Sequence, residues 1–300
     1  MRKPELLHPQ SQKLEEENTL TDSHLGAFVV HFWGVRGLIA TPSSENSRYG
    51  GNTSCVEIRV GSKRLIFDGG TGLRILGKNW LSESQPLEGH LFFTNSQSNR
   101  IQGFPFFAPA FLSKNSFHIY GIAASNGASI KQCLCDQMLQ PHFPYPLQVM
   151  QSELQFYNVI AGKEILLGDI LVRTALINHT QKSIGYRVSW QSYNIAYVTD
   201  VQANLDEFDK EKITQLIQGV DLLITNSPYI LSAEDSYQKS DLNLQTVIDL
   251  AHACEVKRLV ISHHHPDDHD IVLDDMQNSI QSVFAKAIVA HEGLVLPLLT

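Results

Sequence analysis

What most restricts the fold of this chain is a change of pattern midway along it: strand-length apolar runs dominate the first half, and strands alternate with helices in the second. The runs Ala27–Trp33, Ser54–Val60, Arg64–Asp68 and His90–Thr94 have ordinary strand lengths, with Gly50-Gly51-Asn52 and Gly69-Gly70-Thr71-Gly72 as turns. Helices are predicted over Leu73–Leu81 and Ala128–Leu139, then strands over Leu154–Val159, Glu164–Ile177, Ile184–Trp190 and Tyr193–Thr199. Helix Asp206–Gly219, strand Asp221–Thr225, helix Asn243–Glu255, strand Lys257–Ser262, helix Val272–Ala290 and strand Gly293–Leu298 complete the pattern. No internal repeat or Ser/Gly-rich linker divides it. The expectation is one α/β domain over residues 25–300, with two sheets flanked by helices. Residues 1–24 are polar, carry the acidic run Glu15-Glu16-Glu17, and are expected to form a mobile extension.

A chain of 300 residues with 43% hydrophobic content can bury a large core. Its 23 Lys and Arg against 31 Asp and Glu give a net charge of -8 without any basic cluster, which argues against a nonspecific grip on nucleic acid. No run of apolar residues is long enough for a membrane span, and Met1-Arg2-Lys3-Pro4-Glu5 lacks the apolar stretch of a secretory signal, so a cytoplasmic protein is expected. Cys55, Cys133, Cys135 and Cys254 are too scattered for a disulfide scaffold. Cys133 and Cys135 read as small core or surface thiols, because neighbours at i, i+2 on a helix face different ways.

Polar residues that close apolar strands converge on one edge in layered α/β folds. Four such ends stand out: Thr94-Asn95-Ser96-Gln97-Ser98-Asn99-Arg100, Ile177-Asn178-His179, Val198-Thr199-Asp200 and Ile261-Ser262-His263-His264-His265-Pro266. His179, Asp200 and His263 are residue types that bind divalent cations. From spacing alone, two isolated loop histidines and a turn-capping aspartate are the simpler explanation.

The motifs Phe32-Trp33-Gly34-Val35-Arg36-Gly37, Arg48-Tyr49-Gly50-Gly51-Asn52-Thr53-Ser54-Cys55 and Ile66-Phe67-Asp68-Gly69-Gly70-Thr71-Gly72 occur in that order. Ile101-Gln102-Gly103-Phe104-Pro105, Asn178-His179, Tyr197-Val198-Thr199-Asp200 and Ile261-Ser262-His263-His264 follow. Together they resemble the metallo-β-lactamase superfamily, in its branch of phosphodiesterase-like and tRNA-processing-like hydrolases. The resemblance implies a four-layer αββα sandwich with two zinc or similar ions at one edge between the sheets. It also implies His179 as a ligand of the first ion, Asp200 as the bridge and His263 as a ligand of the second.

One segment departs from the family pattern. Active members carry T-H-x-H-x-D-H immediately before the Ile-Gln-Gly-Phe-Pro motif, and those side chains supply two ligands to each ion. Here Asn95 and Gln97 stand for the paired histidines, Asn99 for the aspartate and Arg100 for the last histidine. Neutral amide oxygens are poor donors to such ions, and a guanidinium ~4 Å from a divalent ion meets up to ~8 kcal/mol of repulsion at an effective dielectric near 20. Asn226 stands where relatives tend to carry an aspartate, and Asp241 falls near their His-Ser/Thr pair.

The expectation is therefore a catalytically disabled relative with no cofactor and a binding, regulatory or assembly role. The alternative is a phosphodiester or ester hydrolase with one zinc, manganese or iron ion on His179, Asp200 and His263. Arg100, Asn95, Asn99 and the turn at Asn52 are candidate receptors for an anionic or phosphorylated small ligand. Arg100 pairing with Asp68 or Asp200 is the competing expectation for that cation. The histidine-rich stretch His263–Asp270 reads as inherited. The aromatic segments 104–111 and 142–146 read as core packing, with a homodimer contact as the alternative.

Overall fold

The computed structural model describes residues 28–178, 182–202, 205–227 and 240–299, and only the backbone of 240–243. The expected extension at 1–24 lies outside the described residues. Among the described residues, fourteen strands form two seven-stranded sheets.

In the first sheet β1 (Phe28–Gly34), β2 (Cys55–Val60) and β3 (Lys63–Phe67) are antiparallel, while β4 (Glu88–Phe93), β5 (Ser116–Gly121) and β6 (Glu153–Asn158) continue from β3 in parallel. In the second, β7 (Glu164–Leu167), β8 (Ile170–Asn178), β9 (Ser183–Trp190) and β10 (Tyr193–Val198) are antiparallel. There β11 (Leu222–Asn226), β12 (Leu259–Ser262) and β13 (Ala287–Val289) extend β10 in parallel. The last strand, β14 (Val295–Leu299), returns to pair with β1. Parallel strands release their C-terminal ends on one side, so both sheets deliver strand-end loops to an edge.

The alternation of β1 explains the layering. Phe28, Val30 and Phe32 point inward with Val56, Ile58 and Phe67 to meet Val172, Tyr186, Val188 and Tyr197 of the other sheet. A second core joins the outer face of β10–β13 to helices α4 (Glu207–Ile217), α5 (Ser240–Ala253) and α6 (Asp270–Val283). A third joins the first sheet to α1 (Gly72–Trp80) and α3 (Ile130–Gln137), with the short α2 (Ser98–Ile101) between them. The result is the expected sandwich of four layers, helices outside two facing sheets.

Three local expectations are corrected. The single strand over Glu164–Ile177 is a hairpin, because Gly168 takes φ +66° and turns the chain between β7 and β8. The helix expected to Ala290 ends at Val283, where pairing of Ala287–Val289 with β12 outweighs the helical preference of Ala285 and Lys286. Strand β5 was absent from the sequence-based pattern, yet it is central to the parallel half of its sheet. Of the aromatic segments, Phe104 and Phe107 are buried, whereas Phe106 and Tyr145 are exposed.

Candidate functional site

Four strand ends and one short helix meet at the edge between the sheets. Asp68 follows β3, Thr94 and Asn95 follow β4, Arg100 lies on α2, Thr199 and Asp200 follow β10, and His263 follows β12. Asp68 and His263 both adopt left-handed backbone, φ 61° and 57°, which non-glycine residues take at a cost of about 1–2 kcal/mol. Surrounding hydrogen bonds hold Asp68 there. The Asp68 amide donates to Phe92 O at 2.9 Å, and its Oδ1 accepts from the Thr94 amide and hydroxyl, each at 2.9 Å.

At the centre is the Arg100 guanidinium, only 2% exposed. Its Nη1 donates to Asp68 Oδ2 at 2.8 Å and Thr199 Oγ1 at 3.2 Å, and contacts His263 Nε2. Its Nη2 donates to Asp200 Oδ1 at 2.8 Å and to Thr199 O at 3.2 Å. Tyr197 adds a hydroxyl donor to Asp68 Oδ2 at 2.9 Å and lies 3.3 Å from His263 Nε2. One planar cation thus joins two carboxylates and an imidazole supplied by both sheets.

The electrostatics follow from this burial. Burial pushes the Asp68 carboxyl above its usual range, while Arg100 and the Thr94 amide pull it back. Burial, reinforced by Arg100 and His264, holds the His263 imidazole well below its ordinary value, so the ring is neutral. A neutral ring whose Nε2 faces an arginine donor carries its proton on Nδ1. Burial also drives the Tyr197 phenol well above its ordinary value, so it stays a donor to Asp68.

Asn95 extends the cluster. Its Nδ2 donates to Asp200 Oδ2 and Ser183 Oγ, both at 2.9 Å, and its Oδ1 accepts from the Gln97 amide at 2.9 Å. Asn99 is buried beside Arg100 on the same short helix. The candidate Asn52 is turned to another partner: its backbone and side-chain amides donate to the two Glu292 carboxylate oxygens, at 2.5 and 2.9 Å. The amides expected to meet an external anion at that turn therefore hold an internal one.

Of the three residues considered as metal ligands, Asp200 and His263 come together through Arg100, and His179 lies outside the described residues. Among the described residues no three His, Cys, Asp or Glu side chains are grouped as they would be around one ion. The histidine-rich stretch disperses: His263 enters the cluster, His264 Nε2 meets Ala290 O at 2.7 Å, and His269 faces Glu45. Asn226 brackets Val201, accepting from its amide at 3.0 Å and donating to its carbonyl at 3.1 Å, a pairing an ionised aspartate cannot complete. Asp241 is described only in its backbone.

Sequence reasoning missed Tyr197 and Ser183 as members of the cluster. Tyr197 stood in the Tyr-Val-Thr-Asp motif without a role assigned to it, and its register toward the other sheet is what brings its hydroxyl to Asp68. The Phe-Trp-Gly-Val-Arg-Gly motif is a brace beside the site. Buried Arg36 donates to Gly50 O at 2.8 Å, Asp268 O at 2.7 Å and His265 O at 3.2 Å, tying the turn before β2 to the loop after His263.

No protein-family model and no curated protein matches the sequence. Solved structures do match the fold. A metallo-β-lactamase fold protein, YhfI from Bacillus subtilis, is similar at 16% identity with a TM-score of 0.64, over 91% of this chain and 99% of that one. A diphosphatase of the PhnP family is similar at 14% identity and TM-score 0.64, over 90% and 97% of the two chains. The short form of human tRNase Z is similar at 16% identity and TM-score 0.62, over 91% and 100%. Two facing seven-stranded sheets, helices on both outer faces and near-complete overlap with these proteins establish that the chain has the metallo-β-lactamase fold.

Proposed function

We propose that this chain is a non-hydrolytic relative of metal-dependent phosphodiester hydrolases, acting by binding, in a regulatory or assembly role. In this reading the Arg100 guanidinium performs the charge neutralisation that divalent ions perform in hydrolases of this fold. The observation that carries it is the simultaneous contact of Arg100 with Asp68, Asp200 and His263.

The residues at this edge do not fit a divalent ion. Asp68 receives Thr94, Arg100 and Tyr197; Asp200 receives Arg100 on one oxygen and Asn95 on the other; His263 Nε2 faces Arg100. An ion would have to share these donors with a group that keeps its positive charge at any physiological pH. The neutral amides of Asn95 and Asn99 offer little in exchange. Hydrolysis in such sites depends on water activated by a bound ion, so losing the ion removes the nucleophile.

Metal content of the purified protein, with turnover of bis(p-nitrophenyl) phosphate, tests the reading. The expected result is far less than one metal ion per chain, no turnover above buffer and unfolding that is indifferent to chelator. Stoichiometric zinc, manganese or iron, with turnover abolished by Asp200→Ala, would overturn it in favour of a one-ion hydrolase using His179, Asp200 and His263.

A further inference from the structure

We propose that the cleft beside Asn95 binds a small organic oxyanion, with Lys182 as its cationic anchor. This deepens the reading as a binding protein by naming a ligand class, and it moves the anion from Arg100 to a residue that sequence reasoning did not single out.

The cleft encloses about 530 Å³, within the range of small-molecule sites and larger than a bare phosphate needs. It lies between the loop after β4, the loop after β5 and the first turns of α3. Lys182 is the one charged residue among its described lining, and no Asp or Glu joins it there. Lys182 is half-buried as a residue, and its ammonium has no carboxylate partner among the described residues. Two other cations at this edge are committed: Arg100 to Asp68 and Asp200, Arg36 to three carbonyls. In a chain of net charge -8, an uncompensated cation in a concave wall focuses the local field toward anions.

The remaining lining suits an organic body attached to that anion. Ser96, Ser125 and Asn126 bring polar groups, whereas Ile122 contributes an apolar surface. Asn95, whose amide is held by Asp200 and Ser183, gives a fixed wall toward the Arg100 cluster. An oxyanion seated at Lys182 is thereby kept apart from the buried carboxylates.

Cysteine alkylation tests this directly. Cys133 lines the cleft and is partly exposed; Cys135, two residues on along α3, is partly exposed but outside the lining; Cys55 and Cys254 are buried. The full chain is treated with limiting iodoacetate, an anion, or iodoacetamide, its neutral analogue, and each cysteine is quantified by peptide mass spectrometry. Cys133 should show an iodoacetate-to-iodoacetamide rate ratio about threefold higher in wild type than in Lys182→Gln, the size of effect that one opposite unit charge ~7 Å away exerts in water. The ratio at Cys135, which has Lys131 and Asp136 beside it, should be the same in both proteins. Phenyl phosphate or benzoate, at millimolar concentration, should slow iodoacetamide at Cys133 and leave Cys135 unchanged. Protection by the first alone identifies a phosphoester ligand, by the second alone a carboxylate, and either supports the proposal. A Cys133 ratio unchanged in Lys182→Gln, or protection by neither probe, would overturn it. Metal content and phosphodiester turnover do not enter this measurement, so it can fail while the metal-free reading stands.

Discussion

Replacing Arg100 by methionine removes the central cation while keeping much of its volume. In the wild type two ion pairs at 2.8 Å join it to Asp68, whose side chain is wholly buried, and to Asp200, whose side chain is 12% exposed. With charge centres ~4 Å apart and an effective dielectric near 20, each pair carries ~4 kcal/mol of gross attraction, offset by the cost of removing all three groups from water. Taking away one partner leaves the other charges buried and uncompensated, a loss of about 3–5 kcal/mol. The loss should depend on pH in a definite direction. The Asp68 carboxyl, already raised by burial, rises further without Arg100, so in Arg100→Met it takes up a proton on folding that the unfolded chain has released. Stability of the variant therefore falls as pH rises from the unfolded carboxyl range through the raised folded value. Its deficit against wild type should be greatest near neutrality and shrink on acidification, by at most about 1.4 kcal/mol per pH unit. Urea unfolding followed by tryptophan fluorescence, at several pH values from neutral to mildly acidic, measures both quantities. Combining Arg100→Met with Asp68→Asn and Asp200→Asn should recover most of the lost stability. A deficit under about 1 kcal/mol at neutral pH, or one that does not shrink on acidification, would refute the role of Arg100 as internal counter-ion.

Two other outcomes follow from the same cluster. Joint replacement Asn95→His, Gln97→His, Asn99→Asp and Arg100→His introduces good metal donors and removes the permanent cation, so on the proposed reading the purified variant should retain zinc or manganese through dialysis, read by elemental analysis, and wild type should not. Tyr197→Phe removes the buried hydroxyl donor to Asp68 at 2.9 Å and should cost ~1.5–3 kcal/mol in urea unfolding, as expected for a hydrogen bond to a charged group.

The legibility of this protein varied with the range of the interaction concerned. Strands β1, β2, β3, β10 and β12 could be drawn within a residue or two, because alternation and glycine turns act on neighbours along the chain. The hairpin at Gly168 and the strand Ala287–Val289 were harder. Each depends on a partner strand, and pairing there overrides local preference. Among site residues, the amide and guanidinium side chains at Asn95, Gln97, Asn99 and Arg100 were legible as a departure from the motif the chain resembles. The turn at Asn52 read equally well as an anion receptor, because nothing near it in sequence announces Glu292, 240 positions away.

By itself, then, the chain of residues determined the sandwich and the chemical types placed at its edge, since periodicity and turn chemistry are local properties. It left two destinations open for Arg100, an external anion or an internal acid. Packing of the two sheets decided between them by bringing the guanidinium to Asp68, 32 positions away, to Asp200, 100 away, and to His263, 163 away. Tertiary structure also placed Lys182 in a cleft whose described lining holds no Asp or Glu. Charge type is written in the sequence, but counter-charge is a matter of distance, and only the folded chain sets distances between residues so far apart.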